Sequence, residues 1–352
     1  MKSVLLIQTA FLGDAILSTS LLETLSHQYP EASFYVLTRK GHEPLFQYHP
    51  KVKKVWSWNK AGTFQKYVNL LNIVLEIRSL PKFDLLVNLQ RFFSTGFVSL
   101  LVRARDKLGF TQNPLSTFFT HKIPFQIQSL NEDGTLKHEV QRNYELLRTF
   151  DTSLTYKQAN ELRPKIYFGN ALLDSTRIDF ERQNIILAPA SVWTTKEWPE
   201  AKWRDFILEL RRDSRFSHDL IYIVGAKEDI PKAKRIQESV EKVIPQSGVQ
   251  ILAGKQSIVQ TMMMMKKVKF VVANDSAPIH MASAMNTPTL AIFCSTLPEF
   301  GFYPLAQKSL VWEVKNLACR SCGNHGRDKC PLIHFACAPL LPSVQLLDTL
   351  LS

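Results

Sequence analysis

Solid apolar runs punctuate the chain at intervals: VLLI at 4–7, FYVLT at 34–38, DLLVNL at 84–89, NIILAPA at 184–190, LIYIVG at 220–225, VQILAG at 249–254, KFVVAND at 269–275 and PTLAIF at 288–293. Each has the length and continuity of a strand covered on both faces. The stretches between them follow helical spacing, the first placing Ile16, Leu17, Leu21, Leu22 and Leu25 on one stripe. Strand and helix alternating in this way predict βαβ units and parallel sheets, an α/β chain. The rhythm loosens over 128–183, where SLNEDGTLKHE and NELRPK intervene, and restarts at Asn184. Two Rossmann-like, doubly wound halves joined near 150–180 are therefore expected, with the active site in the cleft between them, beyond the carboxyl ends of the strands. MMMM at 262–265 reads as a packed helix, and PSVQLLDTLLS as a short amphipathic terminal helix.

Composition narrows the picture. Hydrophobic content of 45% and charged content of 21% over 352 residues suit two globular domains. The start lacks a cleavable leader pattern, and no apolar run reaches the roughly 18–20 residues of a membrane span. A cytoplasmic protein, or one that meets a membrane only at its surface, is expected. The charge is distinctive: 43 Lys and Arg against 31 Asp and Glu give +12, which favours an acidic partner. The cations are spread along the chain and no nucleic-acid-binding signature accompanies them, so nucleic acid is not the expected partner.

Chemistry concentrates in three stretches. The first βα turn, TAFLGD, lacks a G-x-G-x-x-G fingerprint and offers Gly13 and Asp14 instead. Asp14 suits a general base, or alternatively the cap of a helix starting at Ala15. In KFVVANDSAPIHMASAM, residues Asn274, Asp275 and Ser276 suit a helix N-cap, with Pro278 in the first turn. Such a helix start is an anion site, toward which His280 would project. APASVWTTKEWPEAKWRDFI sets hydroxyl residues and Lys196 after a strand, a loop suited to a diphosphate.

Together with STLPEFGFYPL and CRSCGNHGRDKCPLIHFAC, these stretches resemble the bacterial heptosyltransferases that build the inner core of lipopolysaccharide, over nearly the whole chain. The resemblance implies a GT-B fold whose C-terminal half holds the nucleotide sugar. It implies an inverting, metal-independent transfer of heptose from ADP-heptose to a lipid-anchored inner-core acceptor at the cytoplasmic face of the inner membrane. Asp14 matches the general base and Lys196 the lysine on the donor phosphates. Asp275, Ser276, Ala277 and His280 match the loop that cradles donor phosphate and sugar, and Ser191 falls beside the nucleotide. Asp229 falls near the ribose, where Glu228 could equally serve. Three positions depart from the family pattern: Ala277 replaces a glycine, Gln8 a lysine, and Val192 a hydroxyl.

The expected layout is an acceptor-side domain over 1–165, a nucleotide-sugar domain over 166–335 with a Cys-rich segment at 319–337, and a terminal helix over 336–352. In the first domain, Gly13 leaves room for a sugar, while Arg91, Arg103 and Arg105 could hold acceptor anions and an anionic membrane surface. Cys319, Cys322, Cys330 and Cys337 have the spacing of a structural zinc clip, with free thiols or a disulfide as alternatives. No cofactor is expected in catalysis. The competing readings are a transferase of the same fold using another nucleotide sugar or glycolipid, and a zinc-clipped nucleic-acid-binding protein.

Overall fold

The computed structural model describes residues 1–169, 184–340 and 344–351. The chain divides into two compact units, Met1–Gly169 and Asn170–Ser352. Part of the expected joining stretch, 170–183, lies outside the described residues.

The first unit is built on β1 (Ser3–Gln8), β2 (Ser33–Arg39), β3 (Val52–Trp58), β4 (Phe83–Asn88), β5 (Ala104–Phe110) and β6 (His121–Ile123). They form one sheet in the order β3-β2-β1-β4-β5-β6, every pair parallel. Val4 to Ile7 are fully buried because helices cover both faces of the sheet. Those helices are α1 (Leu12–Gln28), α2 (Gln65–Ser79), α3 (Phe93–Leu101) and α4 (Glu139–Arg148). β3, β5, β6 and α4 escape a reading by apolar runs. VKKVWSW and ARDKLGF carry charges on partly exposed positions. In α4, Glu139, Gln141, Arg142 and Asn143 are buried although the sequence there is polar. Arg142 Nε donates to the Glu139 carboxylate at 2.8 Å and its Nη1 to the Lys137 carbonyl at 2.7 Å, so the buried charges are mutually satisfied.

The second unit repeats the plan with β7 (Asn184–Ala188), β8 (Leu220–Ile223), β9 (Val249–Ile251), β10 (Phe270–Asn274), β11 (Thr289–Phe293) and β12 (Ser309–Glu313). Its order, β12-β11-β10-β7-β8-β9, is the first sheet's order again, counted from its own first strand. α5 (Glu200–Arg212), α6 (Ile230–Glu241), α7 (Ile258–Met265), α8 (Ala277–Met285) and α9 (Val344–Leu351) complete it. Met262 to Met265 are buried in α7, whose start is closed by a reciprocal pair of hydrogen bonds between Ser257 and Gln260. Trp198, Trp203 and Phe206 pack edge to face in the core, joined by Cys337 and by Leu347 and Leu350 of α9.

In each sheet the chain reverses its direction of strand addition at one place: between β1 and β4, and between β7 and β10. Loops diverge there at the carboxyl ends of the strands and leave room for a ligand.

Candidate functional site

In the first unit, α1 starts at Leu12 with Phe11 at its N-cap, so Asp14 lies in the first turn rather than capping a helix from Ala15. Gly13 and Asp14 are both partly exposed. Desolvation by the surrounding protein raises the Asp14 carboxyl to about 7, helped by the Glu139 carboxylate and opposed by the Arg91 guanidinium. Arg91 itself lies over the Phe125 ring, 3.8 Å from its centroid. A carboxyl poised near neutrality accepts a proton from a hydroxyl more effectively than an ordinary aspartate does.

Gln8, the residue that departs from lysine, is buried at the end of β1, where its side-chain oxygen accepts from Gln90 Nε2. A second group around the 9–11 loop was not legible in the sequence. Lys60 Nζ donates to the Thr9 carbonyl at 2.6 Å and faces the Trp58 ring at 4.7 Å, while Arg39 faces Phe11. Burial, then Arg39, pulls the Lys60 ammonium down to about 8. Burial, then Arg39, with a smaller push from Lys60, takes the His42 ring to about 4. Among the described residues, Thr9 Oγ1, Thr38 Oγ1, His42 Nδ1 and Gln90 Oε1 are buried without a hydrogen-bond partner. Cations crowded together beside unsatisfied polar atoms form a receptor for an anionic, hydroxyl-rich group. The available signal was positional and covered Arg39 and His42 alone: RKGHE follows the 34–38 run directly, whereas the strand before Lys60 is itself not legible.

Arg103 and Arg105 lie at the other end of the sheet. Arg105 is the second residue of β5 and pairs with Asp106 and Asp84, the latter also held by the backbone N–H of Lys2 and Ser3. Arg103 caps carbonyls of Arg78 and Leu80. Because all strands run parallel, these amino-terminal positions face away from Asp14. The structure brings Arg91 to Asp14 and does not bring Arg103 or Arg105.

In the second unit, Asn274 ties the two diverging loops together: its Nδ2 donates to the Pro189 carbonyl at 2.8 Å and its Oδ1 accepts from the Trp198 N–H at 3.0 Å. Lys196 Nζ meets Asp275 Oδ2 at 2.7 Å, and the Thr296 hydroxyl donates to the same oxygen at 2.6 Å. Ser276 is the N-cap of α8, but its hydroxyl donates to the Asn274 and Ala190 carbonyls rather than accepting from the helix. Backbone N–H groups at the partly exposed Ala277 end thus remain available for an anion. His280 is buried one turn in, and desolvation lowers it to about 4, keeping the ring neutral beside Asp275 and Lys196. Ser191 accepts from Trp193 N–H, and Val192 is 73% exposed. Asp229 accepts from the Ala226 N–H at 2.7 Å, whereas Glu228 is exposed.

The Cys-rich segment leans on this lysine loop. Thr195, adjacent to Lys196, donates its N–H to the Arg327 carbonyl at 3.0 Å, and its hydroxyl accepts from Arg327 N–H at 2.7 Å and from Ser295 at 2.9 Å. Gly326, at φ +86°, packs so closely that a Cβ would come within 3.1 Å of the Lys196 stem. Cys319, Cys322, Cys330 and Cys337 are free thiols. Among the described residues, no group of three or more His, Cys, Asp or Glu side chains is placed to hold a metal ion.

Comparison with known proteins adds a family. The model of glycosyltransferase family 9 (heptosyltransferase) matches residues 77–329. Lipopolysaccharide heptosyltransferase 3 of Escherichia coli K12 is 26% identical over 300 residues, covering 81% of this chain and 80% of that protein. Lipopolysaccharide heptosyltransferase 1 of Pseudomonas aeruginosa is 24% identical over 330 residues, 87% and 83% of the two chains. The solved structure of E. coli ADP-heptose lps heptosyltransferase II aligns over 100% of this chain and 98% of its own, with TM-score 0.74 and 20% identity. That similarity shows the GT-B fold.

Proposed function

The chain belongs to glycosyltransferase family 9, the heptosyltransferases, and from that premise we propose that it transfers heptose from ADP-heptose to the inner core of lipopolysaccharide by an inverting, metal-independent displacement. The observation that carries the donor reading is the Lys196–Asp275 pair at the head of α8. A lysine side chain held in place by a carboxylate next to free helix N–H groups suits the diphosphate of a nucleotide sugar. Solved E. coli heptosyltransferase WaaC carries ADP in one structure and a fluorinated ADP-heptose in another, which agrees with that choice of nucleotide.

Asp14 takes the proton of the attacking acceptor hydroxyl as its oxygen bonds to the anomeric carbon. The bond from that carbon to the diphosphate breaks on the opposite face, and its electron pair leaves with ADP. The charge developing there is held by the Lys196 ammonium and the α8 N–H groups around Ser276 and Ala277. Asp275 holds the Lys196 side chain in place, and neutral His280 lies buried one turn into α8. Glu228 is the exposed acid for the ribose hydroxyls, since Asp229 already caps Ala226. On the acceptor side, Arg91, Arg39 and Lys60 meet carboxylates or phosphates of the glycolipid, which is presented at the cytoplasmic face of the inner membrane.

A thermal-shift panel tests this. A ligand bound only by the folded state raises the melting temperature according to RT ln(1 + [L]/Kd). ADP and ADP-heptose should stabilise the protein, while UDP and GDP compounds should not. Stabilisation by UDP sugars alone would overturn the heptose donor, and transfer to an inner-core acceptor then closes the assignment.

A further inference from the structure

Helix α2 has two apolar faces. Leu70, Ile73, Val74 and Ile77 enter the first unit's core. Flanking them, Phe64, just before the helix, and Tyr67, Leu71 and Leu75 are 74%, 51%, 46% and 65% exposed. Their spacing of three and four residues makes one continuous stripe about 16 Å long. Helix α3 packs on the same core and adds Phe93 at 60% and Leu100 at 36% exposure, with no charged residue in its length. Single exposed apolar residues are ordinary; a row of six large ones on two neighbouring helices marks a contact surface.

Charge identifies the partner. Lys66 lies over the Tyr67 ring at 5.0 Å, and Arg78 is exposed in the last turn. The acid of α2, Glu76, is neutralised by Lys54. Lys82 and Arg103 extend the basic margin beyond the helix. An apolar stripe with cations at both ends and no free acid matches an anionic bilayer: leucines and aromatics enter the headgroup boundary while lysine and arginine reach the phosphates. Placement agrees, since α2 and α3 both begin at the carboxyl end of the sheet, where Asp14 stands. No helix among the described residues is long and apolar enough to cross a membrane.

We propose that the outer face of α2 and α3 is the surface on which the first unit rests against an anionic lipid bilayer. The inference rests on the lipid-anchored acceptor of the proposed function. Its test is cosedimentation of the full chain with vesicles of phosphatidylethanolamine and phosphatidylglycerol, beside vesicles of phosphatidylcholine alone. The wild-type chain should bind the anionic vesicles, more weakly as salt rises. The double variant Leu71→Ser, Leu75→Ser, at exposed positions that leave the core intact, should bind about tenfold less or worse. Transfer to a deacylated, water-soluble inner-core acceptor should be the same for both chains. Equal vesicle binding by the two chains, or no binding by wild type, overturns the surface. So does sedimentation showing a dimer that the double variant dissociates, which would make the face an interface between copies. If vesicle binding behaves as expected but neither chain transfers heptose to the soluble acceptor, the function reading falls and the lipid surface stands.

Discussion

The two sheets share a strand order and differ in what stands at their carboxyl ends. At the second, the polar groups are mostly paired: Lys196 with Asp275, Asp275 with Thr296, and Asn274 with both ends of the loop after β7. At the first, a carboxyl is held near neutrality, two cations crowd one another, and four buried polar atoms lack partners among the described residues. A paired site is preorganised for a charge that develops in it, and an unsatisfied one waits for a polyhydroxylated guest to complete its hydrogen bonds. Topology gives each sheet one point where the strand order reverses, and side chains make the two carboxyl ends chemically different.

The sharpest way to break this comparison is Asp14→Asn. Turnover should fall by about 10²–10⁴-fold. Wild-type kcat/KM should rise with pH through about 7 and then level off. The linkage has a definite sign: with the folded carboxyl at about 7 and its ordinary value at 3.8, the folded state binds the extra proton between those values. Asp14 therefore costs stability progressively as pH rises through that window. Asp14→Asn should melt no lower than wild type at pH 8, and a markedly lower melting temperature would make Asp14 structural instead.

The next largest effect concerns the paired end. Lys196→Ala leaves the buried Asp275 carboxylate with the Thr296 hydroxyl but no cation, which should cost about 3–5 kcal/mol of stability as well as transfer. Lys196→Met with Asp275→Asn should recover most of the stability, read by urea unfolding, and none of the transfer. Recovery of transfer would show that the cation has no part in holding the diphosphate.

A smaller effect tests whether the Cys-rich segment keeps that lysine in place. Thr195→Val removes the acceptor of the part-buried Arg327 N–H and strands the buried Ser295 hydroxyl, a loss of about 1–3 kcal/mol. The KM for donor should rise more than kcat falls, and Thr195→Ser should restore both. The smallest expected effect is none: EDTA should leave turnover unchanged, and a chelator-sensitive rate restored by a divalent cation would contradict the metal-independent step.

Most strand runs were legible because strands covered on both faces must be apolar at every position, as in VLLI and FVVA. β3, β5, β6 and β12 were not, since VKKVWSW and ARDKLGF carry charges at exposed positions, HKI is short, and SLVWE is only partly buried. α4 was hidden for the opposite reason: its buried positions are polar and become tolerable only when Arg142 finds Glu139. Asp14, Lys196, Asp275 and His280 were marked by the turns that carry them. Arg39, His42 and Lys60 were not, because a lone cation after a strand looks the same whether it faces solvent or a crevice. Arg103 and Arg105 show the converse, since richness in arginine says nothing about which end of a strand it occupies.

By itself the sequence determined two parallel α/β units, most strands of their cores and the polar turns at the ends of those strands. Apolar periodicity and turn residues act over a few neighbours, so they can be read locally. Only the tertiary structure decided that Lys196 meets Asp275, that Thr195 is tied to Arg327, and that the Asp14 carboxyl rises to about 7. Those properties come from burial and from charges far apart in the chain, which exist only once it has folded.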